Sequence, residues 1–409
     1  MKVTHKKMNS GLEVFHIPME GYEKKVVAVV MKTGSNAIHF EKKDGKGQVE
    51  KSFPYGTAHF LEHRLFRQEW GDAFAKFGEY GASANAFTDG EKTVYYFSCE
   101  ERFDDNFKLL IDFVRHPFFQ KEEVERERDI IASEIEMYDD DPGWRVYYEM
   151  LRLLYKTHPV RIPIAGSQES IAEIDDETLE DFFAVGYTTD RMAVVVVGDV
   201  DFPKIEERLQ AVPTKHQKYK AVINEETPVV ETDFHALKMG LTTPIFQMAI
   251  PFSGSTKRNF AWRMAMAFLL ELLVGESSLF YEEALGLEIL EEPLGFGYFS
   301  GEGYAFLGFS GTSGEAKSVR ELLLNHIEEL RKSGIAEEDF TRIQKKRIGQ
   351  FLRTSQSAED LAMAQVAWAM FGVGGDDVLK QIKKIKKSDV EDVLKEEEFL
   401  SGIVLSVVE

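Results

Sequence analysis

The chain carries one succession of apolar and polar patterns twice. Residues 26–31 form an unbroken apolar run that stops at Thr33-Gly34-Ser35, and residues 245–251 form a mostly apolar one, broken by Gln247, that stops at Ser253-Gly254-Ser255. Short runs of this kind bounded by turn residues read as buried strands, and a long helical stretch is expected after each. An aromatic strand follows in both halves, at 93–98 and at 304–310. Next comes an amphipathic helix, at 103–114 with Phe107, Leu110, Ile111 and Val114 at helical spacing, and at 316–330 in the second half. A charged helix begins near Lys121 and again near Ala336. Each half then reaches a short helix expected to open on a Ser, Thr or Asp cap, in Ile174-Asp175-Asp176-Glu177-Thr178 and in Ile385-Lys386-Lys387-Ser388-Asp389. Val-rich strands at 192–197 and 403–408 close the two halves.

The repeated order predicts an α+β protein of two homologous domains, each a mixed, largely antiparallel β-sheet covered by α-helices. The expected division is 1–211, a linker at 212–230 containing Pro213, Pro228 and a basic run at 215–220, and 231–409. A length of 409 residues fits two or three cores rather than one. The longest uninterrupted apolar runs, such as 193–197 and 265–270, are far shorter than a membrane span, so no membrane association is expected. The N-terminal residues lack a continuous apolar region, so export is not indicated and the cytoplasm is the expected location. A net charge of −21 argues against a nucleic-acid partner and suits neutral or cationic peptides. The single cysteine, Cys99, leaves histidines and carboxylates as the residues that could hold a metal.

His59-Phe60-Leu61-Glu62-His63 provides them. Histidines four residues apart project from one face of a helix and can share a tetrahedral ion. Glu62, three residues after His59, lies on that face without being needed as a ligand, which suits a carboxylate that takes a proton from the hydrolytic water. The pattern is an inverted form of the His-Glu-x-x-His zinc helix. Phe60, Leu61, Leu65 and Phe66 supply an apolar stripe, and Gly56-Thr57 a plausible entry turn.

Two histidines leave a catalytic zinc one protein ligand short. In the charged helix that begins near Lys121, Glu127, Ile131 and Glu134 share one face, while Arg126 and Arg128 point elsewhere. Carboxylates on an apolar stripe are costly unless paired or metal-bound, so Glu134, with Glu127 behind it, is the candidate third ligand.

These residues resemble the M16 or inverzincin metallopeptidases, the family of pitrilysin and the mitochondrial processing peptidase. The resemblance rests on Gly56-Thr57-Ala58-His59-Phe60-Leu61-Glu62-His63, on Gly81-Ala82-Ser83-Ala84-Asn85-Ala86-Phe87-Thr88 and on Thr93-Val94-Tyr95-Tyr96-Phe97, and extends weakly over the whole chain. It implies Zn2+ as cofactor, His59, His63 and Glu134 as ligands, Glu62 as general base and Glu127 as a second acidic residue supporting catalysis. It further implies that Ala84, Asn85 and Ala86 belong to an edge strand to which an extended peptide adds through backbone hydrogen bonds.

One part of the family pattern is absent. Members often grip the substrate carbonyl with an arginine and a tyrosine from a second domain, yet no Arg or Lys occurs between Arg263 and Lys317, although Tyr298 and Tyr304 do. The expectation is therefore a zinc-bearing subunit of a heterodimeric endopeptidase whose homologous partner supplies that pair, with a homodimer as the alternative. A catalytically silent scaffold subunit is the competing function.

Overall fold

The structure is a computed structural model that describes residues 2–44, 47–228, 230–252 and 258–409. Ser253-Gly254-Ser255, and Val229 of the expected linker, lie outside the described residues. The chain divides into two compact units. The first comprises Met1–Ile135, Pro163–Ile223 and Phe351–Leu379, and the second Glu136–Ile162, Asn224–Gln350 and Lys380–Glu409.

The first unit is built on a six-stranded sheet in the order Thr4–Lys7, Glu13–Pro18, Met192–Gly198, Lys25–Met31, Thr93–Cys99, Ala82–Thr88. All neighbours are antiparallel except Glu13–Pro18 and Met192–Gly198, which run parallel. The second unit repeats the last five strands of this plan, Phe234–Leu237, Val404–Val408, Ile245–Phe252, Tyr304–Thr312 and Gly295–Gly301, and among the described residues its one parallel pair, Phe234–Leu237 with Val404–Val408, corresponds to Glu13–Pro18 with Met192–Gly198. The strand that corresponds by position to Ala82–Thr88 is thus Gly295–Gly301. The strands expected at 26–31, 93–98, 245–251 and 304–310 appear within a residue or two of those limits.

The strand Lys25–Met31 reads as a continuous apolar run because both of its faces are covered. Val26, Ala28 and Val30 join a cluster with Ala358, Leu361, Ala362, Val366 and Ala369 of the helix Ala358–Ala369. The helix Phe103–Arg115 packs on the same strand and on Thr93–Cys99. Leaving the valines of Met192–Gly198 in water would forfeit roughly 1.5 kcal/mol each, which explains why a helix from late in the sequence is recruited to this sheet. In the second unit the helix Pro142–Leu154, from early in the sequence, packs on Ile245–Phe252 and Val404–Val408. The units are therefore not the contiguous stretches 1–211 and 231–409: each contains one covering helix from the other half of the chain.

Three local expectations differ from the structure. His39–Asp44 and Gly47–Ser52 pair as antiparallel strands, extended by Lys220–Ala221, and only a nine-residue helix, Thr57–Leu65, follows. The mixed charges of this segment hide its strands from an apolar-pattern reading. Asp175 caps its helix through Thr178 N, but the helix Lys387–Leu394 has no Ser, Thr or Asp at its cap; Asp389 instead reaches back to accept the Lys386 N–H at 2.9 Å. Residues 260–286 reach a mean hydropathy of 1.4 over a membrane-length window, which uninterrupted runs did not reveal. The segment is two helices, Phe260–Val274 and Leu279–Gly286, parted by Gly275 and the Ser278 cap, and 61% of that window is buried within the protein.

A carboxylate that ties down three consecutive backbone N–H groups in the second unit yields a stability test. The Glu226 carboxylate accepts the backbone N–H groups of Lys156, Thr157 and His158 and the Thr157 hydroxyl, at 2.5–2.9 Å. Burial raises its pKa, but these four donors outweigh burial and leave it below the usual value. Most of these bonds are open to solvent, so Glu226→Ala is expected to lower stability by only about 1 kcal/mol, measured by urea unfolding. Because the folded pKa is depressed, the difference should be full above the unfolded carboxylate pKa and shrink as pH falls through the folded value.

Candidate metal centre

Gly56 starts the helix Thr57–Leu65 at φ 92°, and a Cβ there would lie 2.5 Å from the Ala165 carbonyl oxygen, so only glycine allows this entry. The apolar stripe expected for this helix is fully buried: Phe60, Leu61 and Leu65 have no exposed surface. This packing fixes the opposite face, from which His59, Glu62 and His63 project.

His59 and His63 have ring centroids 4.6 Å apart. Glu134, on the helix Lys121–Asp139, enters between them: its Oε1 is 3.7 Å from His59 Nε2 and its Oε2 3.6 Å from His63 Nε2. Ligand atoms of these three residues all lie within 4.8 Å of one another. Separations near 3.6 Å are too long for hydrogen bonds but close to the spacing of donors that share one ion at about 2.0–2.2 Å each. The donor set, two imidazole nitrogens and a carboxylate oxygen, suits zinc with further coordination positions open.

The surrounding groups prepare the ligands. His63 Nδ1 donates to Glu127 Oε1 at 3.0 Å, which leaves Nε2 as the unprotonated nitrogen facing Glu134. Burial, reinforced by the charge of His63, pushes the His59 pKa down to about 3, so the ring is neutral and able to ligate. Burial also acts to lower His63, but the Glu127 bond and the charges of Glu62, Glu127 and Glu134 together raise it. Glu127 is raised by burial and lowered, with net effect downward, by the His63 bond and by the charges of His63 and Arg64.

Glu62 is buried and accepts the Thr88 hydroxyl at 2.8 Å through Oε2. Burial raises its pKa against the opposing Thr88 bond and His63 charge, with Glu134 adding to the rise. A carboxylate lifted toward neutrality and held by one oxygen is suited to accept and return a proton. Thr88 ends the strand Ala82–Thr88, so the same strand that forms the sheet edge also orients this carboxylate.

Ala84, Asn85 and Ala86 lie in the middle of that edge strand. Asn85 is exposed, Ala84 and Ala86 half-buried. The Ala86 N–H bonds Asn85 Oδ1 at 2.8 Å, off the ladder with Thr93–Cys99. In an antiparallel ladder alternate residues turn both backbone groups the same way, so Ala84 and Ala86 direct theirs to the open edge.

The ligand, base and edge-strand candidates of the first unit are thus assembled together. Two features were not assigned from sequence. Thr88 stood in the quoted motif without a role, and its position at the end of a strand beside the motif helix gives it one. In the second unit Arg263 lies with its guanidinium 5.2 Å from the centre of the Tyr298 ring. No basic residue follows it before Lys317, but Arg263 itself is brought to Tyr298 across 35 positions of sequence.

Residues 48–168 match the family described as insulinase (peptidase family M16), and residues 173–347 match the peptidase M16 inactive domain. The chain is 34% identical over 406 residues to YmfH of Bacillus subtilis, an uncharacterised zinc protease, covering 96% of this chain and 93% of that one. The chain belongs to peptidase family M16. Another relative, the uncharacterised zinc protease ML0855 of Mycobacterium leprae, is 36% identical over 154 residues, 36% of this chain and 34% of that protein. A crystal structure described as an M16-like peptidase from Alicyclobacillus acidocaldarius superposes with a TM-score of 0.91 at 27% identity, covering 100% of this chain and 98% of that one. Pitrilysin shares the M16 fold at a TM-score of 0.78 and 17% identity, with all of this chain matching 45% of pitrilysin. The candidate ligands and base fall within the region matched by the M16 insulinase domain, and the word inactive attaches to the other region.

Proposed function

We propose that this M16 protein is a zinc-dependent endopeptidase that hydrolyses short or unfolded peptides and serves as the metal-bearing subunit of a dimer. The observation that carries the reading is the convergence of His59, His63 and Glu134 beside a buried Glu62 held by Thr88. His59, His63 and Glu134 would hold the zinc. Zinc, when bound, supplies Lewis acidity that makes the attacking water more acidic and polarises the scissile carbonyl. Glu62 accepts the proton of that water and delivers it to the departing amine. The open edge at Ala84 and Ala86 pairs with the peptide backbone, which gives affinity with little dependence on side chains. Glu127 keeps His63 in the ligating tautomer.

The proposed partner is a homologous subunit that supplies an arginine and a tyrosine to the substrate carbonyl; a homodimer is the second arrangement. Quenched fluorescent peptides of mixed sequence, given to the zinc-loaded protein alone and with a co-expressed homologous subunit, test both points. Zinc-dependent cleavage in either sample is the expected result. No cleavage in both, with zinc bound, would favour the silent-scaffold function and overturn the peptidase reading.

A further inference from the structure

Among the described residues Arg64 is the largest fully buried side chain, with 1% of its surface exposed, and none of its three guanidinium nitrogens has a direct hydrogen-bond partner there. Burying a charge in this way is costly unless nearby charges compensate. Here the compensation is Glu127 Oε2 at 3.7 Å and Glu123 Oε2 at 3.9 Å. Both are on the helix Lys121–Asp139, on the face that also carries Glu134.

The contacts between the two helices form a ladder. His59 and His63 reach Glu134, His63 reaches Glu127, and Arg64 reaches Glu127 and Glu123. Glu127 lies at the centre of the ladder, with Oε1 on His63 Nδ1 and Oε2 toward Arg64. Its two oxygens are thus divided between a ligand and a fixed cation.

We propose that Arg64 is a positioning residue of the metal centre, which holds Glu127 in place as the acceptor for His63 and thereby sets the zinc affinity. Arg64 touches neither metal nor substrate; it acts through Glu127. This inference rests on the reading of the site as a zinc centre, but not on peptide hydrolysis.

The test measures zinc dissociation constants of metal-free protein by competition with a fluorescent chelator. Arg64→Met, which keeps a long apolar stem, is expected to weaken zinc binding ~10–100-fold, the range for a lost outer-shell partner. Arg64→Lys should recover most of that loss, since a cation returns to the same pocket. In a Glu127→Gln background, Arg64→Met should cause little further loss, because the link it acts through is already cut. Unchanged zinc affinity in Arg64→Met, with or without a lower melting temperature, would overturn the proposal, as would equal losses in both backgrounds. Should Arg64→Met fail to fold, the neutral, polar Arg64→Gln in the two backgrounds decides: a loss in zinc affinity confined to the Glu127 background supports the proposal, and no loss or an equal loss overturns it. Failure of wild-type protein to bind zinc would remove the centre itself, whereas zinc binding without peptide cleavage would count against the peptidase reading alone.

Discussion

Glu62→Gln is expected to bind zinc as tightly as the wild type while its peptide hydrolysis falls ~10²–10⁴-fold in kcat, the range for loss of a general base. The amide is nearly the same size as the carboxylate, and its oxygen can still accept the Thr88 hydroxyl that now bonds Glu62 Oε2. The substitution therefore removes the proton acceptor and leaves the positioning intact. Glu62 is not among the atoms that converge on the ion, so chelator competition should give an unchanged zinc dissociation constant. KM should also hold, because the peptide is expected to dock along Ala82–Thr88 through backbone groups. Equal kcat in variant and wild type would remove Glu62 from the chemistry; a parallel loss of zinc would make it a ligand instead.

Much of this site was legible in the sequence because it is local. The four-residue step from His59 to His63 and the seven-residue step from Glu127 to Glu134 place side chains on one helical face whatever the surrounding fold. The resemblance then joined two helices that periodicity alone could not join. Thr88 and Arg64 were less legible. Their roles depend on what lies opposite them, a carboxylate on a different element in each case, and a lone threonine or arginine carries no sign of its partner.

The fold shows the same limit. Strands buried on both faces, such as Lys25–Met31, announce themselves as apolar runs. The paired strands His39–Asp44 and Gly47–Ser52 do not, because their sequence mixes charged residues with few apolar ones and shows no apolar run. The exchange of covering helices was invisible for a different reason. Amphipathic stripes on Pro142–Leu154 and Ala358–Ala369 state that each helix must bury a face, but not which sheet will cover it.

Glu134→Gln is expected to have the opposite signature to Glu62→Gln: zinc is lost first and activity with it. The two His–Glu134 separations of 3.6 and 3.7 Å show one carboxylate serving both histidines, so no other described residue completes the donor set. A neutral amide keeps the shape but gives up the negative charge that offsets the ion, and zinc affinity should fall more than ~100-fold, beyond the effect of an outer-shell change. The pH dependence of zinc binding gives a second check on the wild type. His63 is raised above its ordinary value in the metal-free protein, whereas His59 is held near 3 and stays neutral. Metal binding requires the His63 proton to leave, so affinity should decline as pH falls through the raised His63 pKa, and zinc uptake below that pH should release a proton. In Glu134→Gln one of the charges that raises His63 is gone, so the residual zinc affinity should begin its decline at a lower pH. Chelator competition at a series of pH values reads both effects; a variant that keeps wild-type affinity throughout would exclude Glu134 as a ligand.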